Sequence, residues 1–211
     1  MARMDIKEAR RVQLIEATID SIARRGFAET TLAHVADGAK LSRGIVNFYF
    51  KSKEILLVET LRHMAQEYEA FWKAALDRAG PSPAARLDAM IEADFHPAIA
   101  SRKKVTVWYA FWGEARWRPD YLRICRALSE RYFEETRELC RQVITTGGYR
   151  DLDAAAIARG LNAMIDGLWL EMLINPAGIN RAEAKRTCRA FLSGFFPAQF
   201  AAGAKGADSA A

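Results

Sequence analysis

From Val12 to Phe196, apolar residues recur three and four positions apart, and no segment sustains the period-2 alternation of a half-buried strand. That pattern restricts the chain to an all-α fold. Val12, Leu14, Ile15, Ile19 and Ile22 predict a first helix over about residues 8–25, ended by Gly26 after Arg24 and Arg25 have complemented its C-terminal dipole. Thr31 can cap a short second helix to about Gly38, and Ser42 a third that begins at Arg43. Ser52 can cap a fourth, in which Leu57, Leu61, Met64, Tyr68, Phe71 and Ala75 keep the helical period up to Arg78. Gly80-Pro81-Ser82-Pro83 then breaks the chain, because proline cannot continue a helix and biases the residue before it towards extended geometry. Further helices are expected over about 83–95, 103–117, 119–146, 153–175 and 181–196, giving about nine in all. The expected organisation is a three-helix domain at 1–53 and a larger helical domain at 54–198, linked by helix four. The Ala- and Gly-rich stretch 199–211 is expected to be a disordered tail.

Net charge matters here by its location. Residues 1–53 hold ten Lys or Arg against six Asp or Glu, whereas the rest of the chain holds 21 against 20. A small basic module joined to a nearly neutral larger one suits a phosphate-facing head, although a solvated basic surface would look the same. No stretch approaches the ~20 apolar residues of a spanning helix, and residues 1–11 lack the apolar centre of a signal peptide, so no membrane association and a cytoplasmic location are expected. Cys125, Cys140 and Cys188 are odd in number and widely spaced, and are read as reduced thiols. His34, His63 and His96 lie far apart, and no HExxH, P-loop, dinucleotide fingerprint or nucleophile elbow occurs. No metal, no cofactor and no catalytic residues are therefore expected.

The segment from Thr30 to Lys53 reads as two short helices joined by a few residues, the second capped by Ser42, which is the layout of a helix-turn-helix. Arg43, Gly44, Asn47 and Phe48 are its candidate outward residues. Ile45, Val46 and either Tyr49 or Phe50 would hold the helix against the rest of the head. Arg43 can reach a phosphate or a guanine edge, Asn47 can read a base edge, and Lys51 and Lys53 flank Ser52 where a helix N-terminus favours phosphate. Taken alone, the pattern also fits an ordinary helical hairpin. The residues Thr31, Val35-Ala36, Ala39, Ser42, Gly44, Phe48-Tyr49-Phe50, Lys51 and Lys53 resemble the TetR family of bacterial regulators, with one departure: Asn47 and Phe48 stand where many members place a tyrosine. The resemblance implies a double-stranded DNA operator as partner, and Thr31, Ser42, Arg43, Gly44, Asn47, Phe48, Tyr49, Lys51 and Lys53 as the DNA-binding set.

Seven aromatics fall between Phe95 and Tyr121, among them Trp108, Tyr109, Phe111 and Trp112, and three of these share one helix face at i, i+3 and i+4. Such a stripe suits a packed core or a ligand cage, since ring faces around a cavity also hold quaternary ammonium groups. Asp166, Glu114 and Glu171 could supply a carboxylate, and Asp166 could equally bond between helices. From Ala9 to about Pro197 the chain is similar to the choline-responsive BetI branch of the family, through SRGIVNFYFKSKEILL, Trp108-x-x-Phe111-Trp112 and Ile165-Asp166-Gly167-Leu168-Trp169-Leu170. This resemblance implies a repressor of choline uptake and glycine betaine synthesis with choline, a small cation, as inducer. Phe95, Trp108, Tyr109, Phe111, Trp112, Asp166 and Trp169 are the expected ligand residues. It also implies a homodimer built on the last two helices, where Gly160, Gly167 and Gly194 permit close approach, and hence a palindromic operator. A multidrug or aromatic-cation sensor is the alternative regulator, and a helical enzyme the alternative from another class.

Overall fold

Ten helices and no strand make up the described residues, 2–200, of the computed structural model, with side chains placed from Ile6 onward. They are α1 (Ala2–Arg25), α2 (Leu32–Gly38), α3 (Arg43–Tyr49), α4 (Lys53–Arg78), α5 (Pro83–Asp94), α6 (Arg102–Ala115), α7 (Pro119–Gly147), α8 (Ala154–Ile174), α9 (Arg181–Phe195) and α10 (Pro197–Phe200). The expected caps are in place: Thr31 Oγ1 accepts from the His34 amide at 3.2 Å, Ser42 Oγ from Ile45 at 3.4 Å and Ser52 Oγ from Ile55 at 3.2 Å. Ser82, Ser101, Asp153 and Asn180 cap α5, α6, α8 and α9 in the same way. Gly26 ends α1 at φ +87, its amide still reaching Ile22 O at 2.9 Å. That left-handed geometry is one in which a side chain would be strained.

Three expectations of extent are corrected. α1 begins at Ala2 rather than near residue 8, because nothing in its first turns is a glycine or proline. α6 stops at Ala115, so Trp117 lies outside it and is exposed; the chain must leave the helix before Pro119 opens α7. Gln199 and Phe200 belong to α10: the Tyr149 hydroxyl donates to Gln199 Oε1 at 2.7 Å, and the Phe200 ring lies 6.4 Å from that of Phe196. The remainder of the expected tail, 201–211, lies outside the described residues.

The chain divides into two compact units, the described parts of Met1–Tyr68 with Ser101–Leu128, and of Glu69–Ala100 with Ser129–Ala211. In the first, Leu14, Ile15, Ile19 and Ile22 of α1, Val35 of α2, Val46 of α3, and Leu57 and Leu61 of α4 are buried, with α2 packed on both α1 and α3. α6 packs on α1, with Lys103 Nζ bonded to Asp20 at 2.9 Å, and Arg118 at the start of α7 reaches Glu54 at 2.6 Å. In the second unit, Trp72, Met90, Leu139, Leu161, Ile165 and Leu192 are buried. Here α9 is tied to α5 by Arg189, which forks onto Asp88 at 2.6 and 3.1 Å and also reaches Glu92. Gly160 has an intrachain reason: a Cβ there would stand 2.8 Å from the Phe191 ring, so its absence is what lets α9 close on α8.

Candidate nucleic-acid interface and ligand site

The turn between α2 and α3 is made by Lys40 at φ 54, with the Leu41 amide closing onto Ala36 O at 2.9 Å, while Gly38 stays helical. α3 is then held by little: Val46 and Phe50 are buried and Tyr49 is half-buried. Arg43, Gly44, Asn47 and Phe48 are exposed as expected. Ile45 is not turned inward as expected but is 37% exposed, since a seven-residue helix has room for one inward row and Val46 and Phe50 fill it. Phe48 is 76% exposed and meets the Tyr49 ring edge-on at 5.3 Å.

Of the remaining expected DNA-binding residues, Thr31 and Ser42 are exposed with their hydroxyls engaged as caps, and Lys51 is exposed. Lys53 is half-buried and donates to the carbonyls of Phe27 and Ala28 at 3.4 and 3.2 Å, a structural bond that competes with any phosphate. Among the described residues, Lys40, Arg43 and Lys51 engage no carboxylate, unlike Arg11, Lys103 and Arg118 of the same unit. These three cations lie along the turn and both ends of α3, although Arg24, Arg25 and Arg102 of the same unit engage no carboxylate either.

The expected ligand residues fall in both units. Trp108, Tyr109, Phe111 and Trp112 belong to the first. Trp112 lies 6.0 Å from Trp108 and 4.9 Å from Tyr109, and Trp108 meets Tyr68 at 6.3 Å. Phe111 does not join them: it is fully buried, edge-on to Phe27 at 5.5 Å and to Tyr121 at 5.3 Å, because its turn of α6 faces the head. Of the carboxylates, Glu114 is bonded to Arg118 at 3.1 Å, and Glu171 accepts from Asn175 at 3.0 Å.

Phe95, Asp166 and Trp169 belong to the second unit. Asp166 lies on the outer, exposed row of α8, and the surrounding protein still raises its carboxyl above the ordinary aspartate range. The exposure decides its placement. Sequence reasoning missed the buried carboxylate here, Asp94, at the last turn of α5 beside Phe95. It accepts from the Tyr132 hydroxyl at 2.5 Å, and its backbone carbonyl accepts from the Trp169 indole at 3.1 Å. Trp72 stands edge-on to Tyr132 at 5.8 Å, its own indole N–H buried with no acceptor among the described residues. Burial, and then the nearby Asp94 charge, push the Cys188 thiol up to about 12. Asp94 is thus a buried carboxylate bonded to Tyr132 and, through its carbonyl, to Trp169, with Trp72 edge-on to Tyr132 and Phe95 next in the chain; a carboxylate with aromatic rings near it is the combination that binds an alkylated cation. The signal that could have found it is register: Asp94 falls on the inward row of α5 with Leu87, Met90 and Ile91.

Two short helices across a left-handed turn, the second anchored by a single inward row and flanked by uncommitted cations, define a helix-turn-helix DNA-binding regulator. Residues 14–60 match the tetR family of bacterial regulatory proteins, and residues 83–197 match the BetI-type transcriptional repressor, C-terminal domain. The HTH-type transcriptional regulator BetI of Burkholderia mallei is 38% identical over 173 residues, covering 81% of this chain and 85% of its own. Two solved structures each superpose with a TM-score of 0.80. A transcriptional regulator of Pseudomonas aeruginosa is 29% identical, covering 91% of this chain and 93% of its own. A regulator of Saccharomonospora viridis in complex with choline is 25% identical, covering 88% and 96%. The chain belongs to the TetR family of transcriptional regulators, with a C-terminal domain of the BetI repressor type.

Proposed function

We propose that the protein is a dimeric repressor whose hold on a palindromic operator is released by a small quaternary ammonium ligand, choline fitting best. The observation that carries this reading is the buried Asp94 among Trp72, Phe95, Tyr132 and Trp169. A quaternary ammonium cannot donate hydrogen bonds, so it is selected by ring faces and a fixed counter-charge, each desolvated ring contact contributing on the order of 1–2 kcal/mol. Choline's hydroxyl oxygen can accept from the Trp72 N–H. Glycine betaine, which carries its own carboxylate, would be repelled by Asp94. The α6 rings Trp108, Tyr109 and Trp112 supply further aromatic surface in the first unit. The choline complex of the Saccharomonospora regulator and the BetI name of the Burkholderia relative support the same ligand class.

Residues 1–53 are assigned DNA binding, and 54–198 ligand binding and pairing. Pairing is assigned to α8 and α9, where Ala163, Asp166, Gly167, Leu170 and Ile174 form an exposed row along α8 and Ala190 and Gly194 are exposed on α9. No helix among the described residues is long and apolar enough to cross a membrane, and a DNA-binding regulator acts in the cytoplasm. The family is regulatory, and no catalytic role is assigned.

The test is operator binding at fixed salt with and without choline, alongside calorimetry of choline, glycine betaine and a bulky aromatic cation. Tight choline binding that weakens the operator complex supports the reading; linkage then requires DNA to weaken choline binding by the same factor. Binding of bulky dyes in preference to choline would replace it by a general cation sensor.

A further inference from the structure

α3 carries its polar and apolar exposed residues on different edges. With about 100° between successive residues, the buried Val46 and Phe50 set the inward direction, and Gly44 and Phe48 come out opposite to it. Arg43 and Asn47 lie together to one side, Ile45 to the other. The residue projecting furthest from the head is therefore a phenylalanine, 76% exposed, with a 37% exposed isoleucine at i−3. Its ring is steadied by the edge contact with Tyr49. Gly44 is not demanded by packing, since a Cβ there would meet only Ser42 Oγ at an ordinary 3.8 Å. Its missing side chain leaves the space beside Phe48 clear.

An exposed phenyl beside an exposed isoleucine is normally covered by a partner. Here the partner is fixed by position, because the face continues the helix-turn-helix interface and is flanked by the uncommitted cations Lys40, Arg43 and Lys51. Neither Phe48 nor Ile45 can hydrogen-bond a base edge, and the apolar feature of the major groove is the thymine C5-methyl group. We infer that Phe48, with Ile45, reads thymine methyls at the centre of each half-site, Arg43 and Asn47 taking the polar contacts on one flank. The inference rests on α3 being the groove-entering helix, and it makes the apolar edge the source of specificity.

The experiment recovers tight duplexes from a randomised pool with the full chain, then replaces each thymine singly by deoxyuridine, which removes the methyl and leaves every hydrogen-bonding group. Affinity is measured at one salt concentration for the unaltered protein and for Phe48→Ala. At one or two positions per half-site, deoxyuridine should weaken binding about fourfold per methyl, and at one of these at least the same replacement should have no effect on Phe48→Ala. Unchanged affinity at every deoxyuridine position overturns the inference while leaving DNA binding intact. So does a Phe48→Ala protein that still loses about fourfold at every position where the unaltered protein does. Recovery of no duplex at all would overturn the reading of α3 on which the inference rests.

Discussion

On α3, five of seven residues are open to solvent and Arg43 engages no carboxylate, whereas in the second unit Asp94 is wholly buried and its carboxylate accepts from Tyr132. The two regions handle charge oppositely because their targets differ. A polyanion brings its own charge to a surface, so the head need only hold its backbone firm and leave its cations unspent. A small desolvated cation needs a counter-charge prepared in advance, and that carboxylate must be hydrogen-bonded to be tolerated inside. Firm anchoring matters in the first case and prior polar bonding in the second, and each can be attacked separately.

The sharpest contrast uses two phenylalanines two positions apart. Phe50→Ala should destabilise the head by about 3–5 kcal/mol, lowering the urea midpoint, because a fully buried ring leaves a cavity under α3. Phe48→Ala should cost no more than about 0.5 kcal/mol by the same measurement, since its ring packs on little. Equal effects would mean that α3 has no division between anchor and reader. Next in size, Asp94→Asn should weaken choline binding by roughly 30-fold or more, on the order of 2 kcal/mol, with operator affinity unchanged. Tyr132→Phe, which keeps the ring and removes only the donor to Asp94, should weaken choline more mildly. Calorimetry separates these results from unfolding, and choline affinity indifferent to both changes would reduce Asp94 to a structural role.

The head was legible because its determinants are local. Thr31, Ser42 and Ser52 announce helix starts by bonding amides three residues on, and Gly26 announces a stop. Ile45 was misplaced because periodicity alone does not say which of two adjacent apolar residues a short helix turns inward. The proposed ligand site was only half legible. Phe95 and Trp169 were singled out in the sequence, but Asp94 meets Tyr132 across 38 positions and Trp169 across 75, and no spacing rule spans such distances. Asp166 drew attention by standing in an apolar run; that run is apolar because α8 has an exposed apolar row, so the conspicuous carboxylate was the outer one.

A third prediction returns to the uncommitted cations. Arg43→Ala should weaken operator binding by about tenfold and, if its partner is a phosphate, lower the salt slope by about one. A base-edge contact would instead relax sequence preference and leave the slope unchanged. Choline binding should not respond in either case.

The smallest expected effect tests the charge network of the second unit, where polar groups are spent on structure. Burial pulls the Glu92 carboxyl up, but hydrogen bonds from Lys185 and Arg189 outweigh it and leave it lowered from the ordinary 4.5. A carboxylate lowered by folding contributes stability that is fully present above its unfolded value and is lost as pH falls through the folded one. Denaturation should therefore show a contribution that is constant at neutral pH and fades only below about 4.5. Glu92 is 46% exposed, so solvent screening holds that contribution to well under about 1 kcal/mol. Glu92→Gln should remove this portion of the acid sensitivity while leaving Arg189 forked onto Asp88, and operator binding at neutral pH should be untouched. A loss of operator affinity in Glu92→Gln would mean that the α5–α9 tie carries signal between ligand and DNA, and the separation between the uncommitted cations around α3 and the committed charges of the second unit would fail.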